Sequence, residues 1–221
     1  MRISSYNIRK AVGLDWRRDP ERIVEVLAEI GADIVILQEA DKRLGRRVGV
    51  LPLAGLHERL GLTLAPTGAH PSHGWHGNAV FYPENWPAPQ TDCLPLPQLE
   101  PRGALHVSFT RPRLEIIATH LGLLAPTRTR QLRHLYQRTG NTPLLLAGDF
   151  NEPVLHRLAR NLPQGAQIIT PGPSFHARKP VVAFDRFILF GPLQSRKSWV
   201  HSSPLARRAS DHLPVVIEVD L

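Results

Sequence analysis

Pro143-Leu144-Leu145-Leu146-Ala147-Gly148-Asp149-Phe150-Asn151 is an apolar run that stops abruptly at an acid and an amide. A short run with no polar alternation, bounded by turn residues, fits a strand buried on both faces. Its end admits two readings. In extended geometry Asp149 and Asn151 share a face, where Asp149 would orient or deprotonate a water and Asn151 would donate to a phosphate oxygen. In the other reading the pair only closes the strand as an Asx turn.

The same pattern, strand-like residues meeting an acid, amide or imidazole, recurs along the chain. Arg2–Ile8 reads as a strand with Tyr6-Asn7 near its end, and Ile34-Val35-Ile36-Leu37 stops at Gln38-Glu39. Gly77-Asn78 adjoins a strand that runs to Tyr82, and Leu114–Thr119 ends at His120. Ser210-Asp211-His212 borders a late strand, Leu213–Val219, and another late strand covers Phe184–Phe190. Side chains at strand ends are held rigidly yet face a loop-lined rim, where reactive groups can converge.

Helices separate these strands. Asp19-Pro20 opens one, with Asp19 capping free amides and Pro20 at the first helical position. Ile23, Val24, Leu27 and Ile30 give it an apolar face, and Gly31 ends it. A second helix is expected over about Val48–Leu60. A third, over about Thr127–Arg138, should turn Leu132 and Leu135 inward and Arg128, Arg130, Arg133 and Arg138 mostly outward. Residues 83–101 contain six prolines, but strands around Cys93 and Val107 could carry one sheet through that stretch. Strands alternating with helices give an α/β protein, read as one domain over residues 1–221.

The composition agrees. The chain has 221 residues, 42% of them hydrophobic and 21% charged, as in a globular protein. A single cysteine, Cys93, excludes an internal disulfide framework and Cys-based zinc ribbons, and suits a reducing cytosol. No apolar run is long enough for a membrane helix, and the start, MRISSYNIRK, has no signal core. A cytoplasmic monomer without a membrane anchor is expected. The net charge is +8. Residues 1–110 hold 12 basic and 12 acidic groups, so the whole excess lies after residue 110. A basic half points to an anionic partner, or reflects only an arginine-rich genome. If a positive surface borders the site, Arg128, Arg130, Arg133, Arg207 and Arg208 are its expected members.

Taken in order, YNI (6–8), LQE (37–39), GNAV (77–80), THL (119–121), GDFN (148–151) and SDH (210–212) resemble the motifs of the endonuclease/exonuclease/phosphatase superfamily. That group includes pancreatic deoxyribonuclease, apurinic endonucleases, inositol polyphosphate 5-phosphatases and sphingomyelinases. The resemblance implies a four-layer α/β sandwich, two mixed sheets face to face with helices outside. It also implies a Mg²⁺-dependent phosphodiester hydrolase, with Mn²⁺ as a possible substitute.

The residue chemistry fits that implication. Glu39 and Asn7 offer the hard oxygens that Mg²⁺ prefers, and Asp211 would add a further metal ligand. Asp149 would activate water. His212 would stabilise the pentavalent transition state or act as the base, its tautomer fixed by Asp185, as in the family. After that Asp the family's usual aromatic is Arg186 here, which bears on local packing. His120 would donate to the phosphate or protonate the leaving oxygen, and Asn78 would donate to the phosphate or to His120. Thr170–Ser174 would shape the loop. Arg9 and Lys10 could steer phosphate or simply be exposed. His70, His73 and His76 are spaced like a metal cluster, but Pro71 and Gly74 keep them off one helical face, so they read as a rim loop.

The substrate divides three ways. The basic half favours a nucleic acid, DNA or RNA. The short chain and His120 allow a phospholipid or small phosphoester. A non-catalytic binding module would have been signalled by loss of Glu39, Asp149 or His212, and all three are present.

Overall fold

Local signals and burial build two sheets. A computed structural model describes residues 1–43, 45–68, 71–97, 102–137 and 142–220. The strands in chain order are β1 (Arg2–Asn7), β2 (Ile34–Gln38), β3 (Leu62–Leu64), β4 (Ala79–Pro83), β5 (Gln90–Pro95), β6 (Gly103–Phe109), β7 (Leu114–His120), β8 (Leu144–Asp149), β9 (Gln167–Ile169), β10 (Asp185–Phe190), β11 (Gln194–Val200) and β12 (Val215–Asp220). The helices are α1 (Pro20–Ile30), α2 (Leu53–Leu60), α3 (Ala125–Tyr136), α4 (Leu155–Ala159) and α5 (Ala206–Ala209). One sheet has the order β11-β12-β1-β2-β4-β3, the other β5-β6-β7-β8-β10-β9. Each is mixed: β1 runs parallel to β2 and β7 parallel to β8, and the remaining pairs are antiparallel.

Three apolar layers define the four-layer sandwich. Ile3, Ile36 and Val80 of the first sheet meet Val107, Leu145 and Ala147 of the second in the central layer. Tyr6, Val35 and Leu37, on the other face of the first sheet, pack beneath α1 and α2 through Ile23, Leu27 and Leu56. Leu144 and Leu146, on the other face of the second, lie beneath α3 through Leu132 and Leu135. Alternate leucines of β8 thus enter different layers, which is why that run is apolar at every position. Each fully buried leucine contributes about 1.5–3 kcal/mol relative to exposure.

The first helix begins and ends as expected. Asp19 accepts from the Arg22 amide at 3.1 Å, and Gly31 closes the helix at φ 58°. The second starts at Leu53 rather than near Val48. Residues before Pro52 run back along the loop after β2, where Val50 N–H donates to Ala40 O and Asp41 bridges Gly49. The third helix turns Arg128 inward, contrary to expectation. Arg128 lies on the Leu132 and Leu135 stripe, and Glu152 meets its guanidinium at 2.8 Å in a buried pair. Arg130 and Arg133 are exposed, and Arg138 lies outside the described residues. Among the described residues no helix is long and apolar enough to cross a membrane.

Candidate active site

Strand register brings the polar strand ends together. In the second sheet Asp149 on β8 pairs with His120 on β7 and with Asp185 on β10, so three functional groups stand side by side. In the first sheet Asn7 on β1 lies opposite Gln38 on β2, one residue before Glu39. The two rows meet where Asn7 Nδ2 donates to Asp149 Oδ2 at 3.1 Å across the buried junction of the sheets.

Two glycines permit this closeness. At Gly148 a Cβ would fall 1.8 Å from the Thr119 carbonyl oxygen, so only glycine lets β7 and β8 approach just before Asp149. At Gly77, φ +79°, a Cβ would sit 3.2 Å from the Glu39 Cα. Glu39 itself has φ 54°, an uncommon conformation for a residue with a side chain.

Asp149 is buried, and its oxygens are divided between two tasks. Oδ1 accepts the Asn151 amide at 2.9 Å, closing an Asx turn. Oδ2 faces Asn7, with His120 Nε2 at 3.4 Å and His212 Nε2 at 3.7 Å. Of the two sequence readings, the Asx turn is the one this end adopts, and it leaves Oδ2 turned toward the imidazoles. Asn151 does not share an extended face with it: the strand has ended, Asn151 takes φ 50°, and its Nδ2 donates to Leu121 O at 2.9 Å. An asparagine tolerates that left-handed conformation.

His212 Nδ1 donates to Asp185 Oδ2 at 2.8 Å, which turns Nε2 toward Asp149. Ser174 Oγ also donates to Asp185 Oδ2, so the Thr170–Ser174 stretch holds the carboxylate as well as shaping its loop. Phe175 packs on the His212 ring at 4.9 Å between centroids. Burial disfavours charge on His212, but the Asp185, Asp149 and Asp211 carboxylates outweigh it and push its pKa up to about 10. At His120 burial dominates over the pull of Asp149, and with Arg102 nearby the pKa is pushed down to about 3. The two imidazoles are shifted in opposite directions: the neighbouring carboxylates favour the charged form at His212, and burial favours the neutral form at His120.

The remaining oxygens line the same rim. Glu39 is met by Lys10 Nζ, and Asp211 Oδ2 lies 3.5 Å from Arg9 Nε. Asn7 Oδ1 accepts from the Arg9 amide at 3.1 Å, and Ser210 Oγ donates to Asn7 O at 2.7 Å. Glu39, Asn7 and Asp211 offer oxygen atoms, the donor type a hard cation prefers, and Lys10 and Arg9 lie on the two carboxylates. Asp149, Asp185 and His212 also offer ligand atoms within 4.8 Å of one another, a buried group that could hold a metal ion.

Beside this rim lies a cleft lined by Glu39, Asp41, Arg43, Arg47, His76, Asn78, Arg102 and His120, with Arg47 paired to Asp41 at 2.9 Å. Asn78 does not serve as the expected donor. Its Nδ2 donates to the Trp75 and Gly103 carbonyls at 3.1 and 2.9 Å, leaving Oδ1, buried and without a hydrogen bond, as its remaining polar atom. His73 is buried beneath Gly49 and accepts from the Leu51 amide, so it is a packing residue. His76 reaches the cleft against Arg47 at 3.1 Å, and His70 lies outside the described residues. Arg186 is fully buried, and its guanidinium donates to Glu152 O, Pro153 O and Thr170 Oγ1.

The sequence reading missed Arg43, Arg47, Asp41 and Arg102. The run Asp41-Lys42-Arg43-Leu44-Gly45-Arg46-Arg47 was the available signal. The cleft arginines come from the half of the chain with no net charge. Of the five arginines expected at the rim, Arg128 is buried against Glu152, and Arg208 is paired with Asp15 at 3.1 Å.

The fold is thus a two-sheet α/β sandwich that gathers acids, amides and imidazoles at neighbouring strand ends. The Endonuclease/Exonuclease/phosphatase family model matches residues 4–212, and the chain belongs to that family, whose members are generally metal-dependent phosphoester hydrolases. Among solved structures it is similar to an endonuclease/exonuclease/phosphatase from Beutenbergia cavernae, with 23% identity, TM-score 0.77, and coverage of 100% of this chain and 71% of that one. A functionally unknown conserved protein from Enterococcus faecalis is 19% identical with TM-score 0.74, covering 100% and 99%. D. rerio TDP2 complexed with single strand DNA product is 18% identical with TM-score 0.70, covering 100% and 99%. At these identities the likeness concerns the fold. Among curated proteins none matches the sequence.

Proposed function

We propose that the chain is a single-domain, Mg²⁺-dependent phosphodiester hydrolase acting on nucleic acid, working as a cytoplasmic monomer. The observation that carries the reading is Asp149 Oδ2, shared between an amide of one sheet and two imidazoles at 3.1, 3.4 and 3.7 Å. Asp149 Oδ2 orients a water and takes its proton. His212, anchored through Nδ1 on Asp185, presents Nε2 to a phosphoryl oxygen. His120 Nε2 lies across from it, toward the leaving oxygen. Such fixed groups act where charge develops in the transition state. Glu39, Asn7 and Asp211 hold the ion through oxygen, and Mn²⁺ substitutes. When bound, the metal polarises a phosphoryl oxygen. Asn151 Nδ2, engaged by Leu121 O, positions one loop, and Asn78 Nδ2, engaged by Trp75 O and Gly103 O, positions another.

Nucleic acid is favoured by Arg43, Arg47 and Arg102 along the cleft, and by the DNA product bound to the TDP2 neighbour. A small phosphoester is the alternative reading, which the short chain and His120 allow. Purified protein assayed with Mg²⁺, Mn²⁺ or chelator separates them. The panel is single-stranded DNA, duplex, abasic duplex, RNA, a chromogenic diester, inositol phosphates and phospholipid vesicles. Metal-dependent cleavage of a nucleic acid is expected. Turnover of the small ester or lipid alone would overturn the substrate, and turnover in chelator would overturn the metal.

A further inference from the structure

Trp16 is the most exposed large apolar side chain among the described residues, at 78%. Its loop is nevertheless tied down. Gly13 N–H donates to Arg17 O, Trp16 N–H to Gly13 O, and Leu14 N–H to Arg208 O at 2.9 Å. Asp15 anchors the loop by accepting from Arg22 at 3.0 Å and from Arg208 at 3.1 Å. Trp16 itself sits at φ 60°, a left-handed conformation that is a genuine outlier for a bulky residue. Backbone held there by its surroundings tends to occur where a side chain must be presented.

What surrounds the indole is cationic. The Arg9 guanidinium lies over one ring face at 4.6 Å, and the same group reaches Asp211 Oδ2 at 3.5 Å. Trp16 is therefore one side chain away from the catalytic rim. The open hollow beside it is bordered by Arg178, Arg207, Arg208 and His176, with Asp15 its one carboxylate among the lining residues.

A rigid aromatic ring flanked by guanidinium groups is the combination on which unpaired bases stack while their phosphates are neutralised. A duplex keeps its base faces covered. A bilayer would be met by several apolar side chains projecting together, whereas arginines surround Trp16. We infer that the Trp16 loop is a stacking platform for an unpaired base of a single-stranded nucleic acid whose neighbouring phosphate enters the catalytic rim. This rests on the nucleic-acid reading above and adds the form of the strand and where it lies.

The test is fluorescence anisotropy with a short labelled oligothymidine in chelator, where binding is read without cleavage, with thermal melting to confirm folding of each variant. Trp16→Ala should raise Kd roughly 5- to 150-fold, the range expected when one base stack is removed. Trp16→Tyr should restore most of the affinity. Arg178→Ala with Arg207→Ala should flatten the salt dependence by about 0.7 of a log unit for each phosphate left without its arginine, while Trp16→Ala leaves the slope unchanged. If wild-type protein binds and cleaves single strands and Trp16→Ala binds within about twofold of it, the platform is wrong and the substrate reading stands. If wild-type protein neither binds nor cleaves any nucleic acid yet turns over a small diester, both fall. Loss of phosphatidylserine-vesicle binding in Trp16→Ala, with oligonucleotide affinity intact, would make the loop a membrane-binding element and overturn the inference.

Discussion

At Asp149 one oxygen closes a turn and the other faces the reacting groups, and a substitution can separate these tasks. Asp149→Asn keeps a carbonyl oxygen for the Asn151 amide but removes the base. Turnover should fall about 10²- to 10⁴-fold, and urea unfolding should show a loss of about 1–3 kcal/mol, because the new amide NH₂ faces the Asn7 donor where Oδ2 accepted it. Glu39→Gln keeps the shape of its side chain and removes the charge, so activity should drop and recover in part as Mg²⁺ is raised. Full activity at low Mg²⁺ would remove Glu39 from metal binding. That Asp149 and His212 lie together was legible from the ordered set of strand-end motifs, since a single acid or imidazole beside an apolar strand is more often a rim residue. The amides were not. Whether Asn78 or Asn151 can donate is decided by the carbonyls of Gly103 and Leu121, which only tertiary structure brings within reach.

The elements carry these residues by close approach, and Gly148 marks the tightest point. Gly148→Ala would drive a methyl into the Thr119 carbonyl, with no flexible side chain to yield. Overpacking of a core costs about 1–3 kcal/mol, and here the backbone must move, so a loss at or above the upper end is expected in chemical denaturation. Loss of less than about 1 kcal/mol would mean that β7 and β8 separate easily. The start and end of α1 were readable because Asp19, Pro20 and Gly31 act locally. The start of α2 was not, because Val48–Leu51 is claimed by hydrogen bonds to the loop after β2. Arg128 was misread for a related reason: its spacing matched the buried stripe, but its charge suggested solvent until Glu152 supplied a partner.

Across the whole molecule, charge counted along the sequence and charge facing the site differ. The basic excess lies after residue 110, yet Arg43, Arg47 and Arg102 line the cleft, Arg47 paired there with Asp41 at 2.9 Å, and several later arginines are paired as well, with Glu152, Asp15 and Asp220. Replacing Arg43 and Arg102 together by alanine should weaken nucleic-acid binding uniformly across sequences. It should also flatten the salt slope by about 0.7 for each phosphate of a single strand that is no longer neutralised. An unchanged slope would move the polyanion path off the cleft. The two-sheet sandwich was legible from six strand ends in order, whereas the facing of its surfaces needed the folded chain. The bond from Asn7 to Asp149 joins one sheet to the other, so the bite of the site depends on how far apart the sheets stand. That spacing is set by Ile36, Val80, Leu145 and Ala147 in the central layer. Ile36→Val removes one methylene, a change of about 0.5–1.5 kcal/mol in stability. Misplacement of reacting groups by about 1 Å can cost about 10²-fold in rate. Turnover should therefore fall in this variant by more than its melting point foretells. The interior acts as a gauge block, and its thickness calibrates the chemistry at the edge.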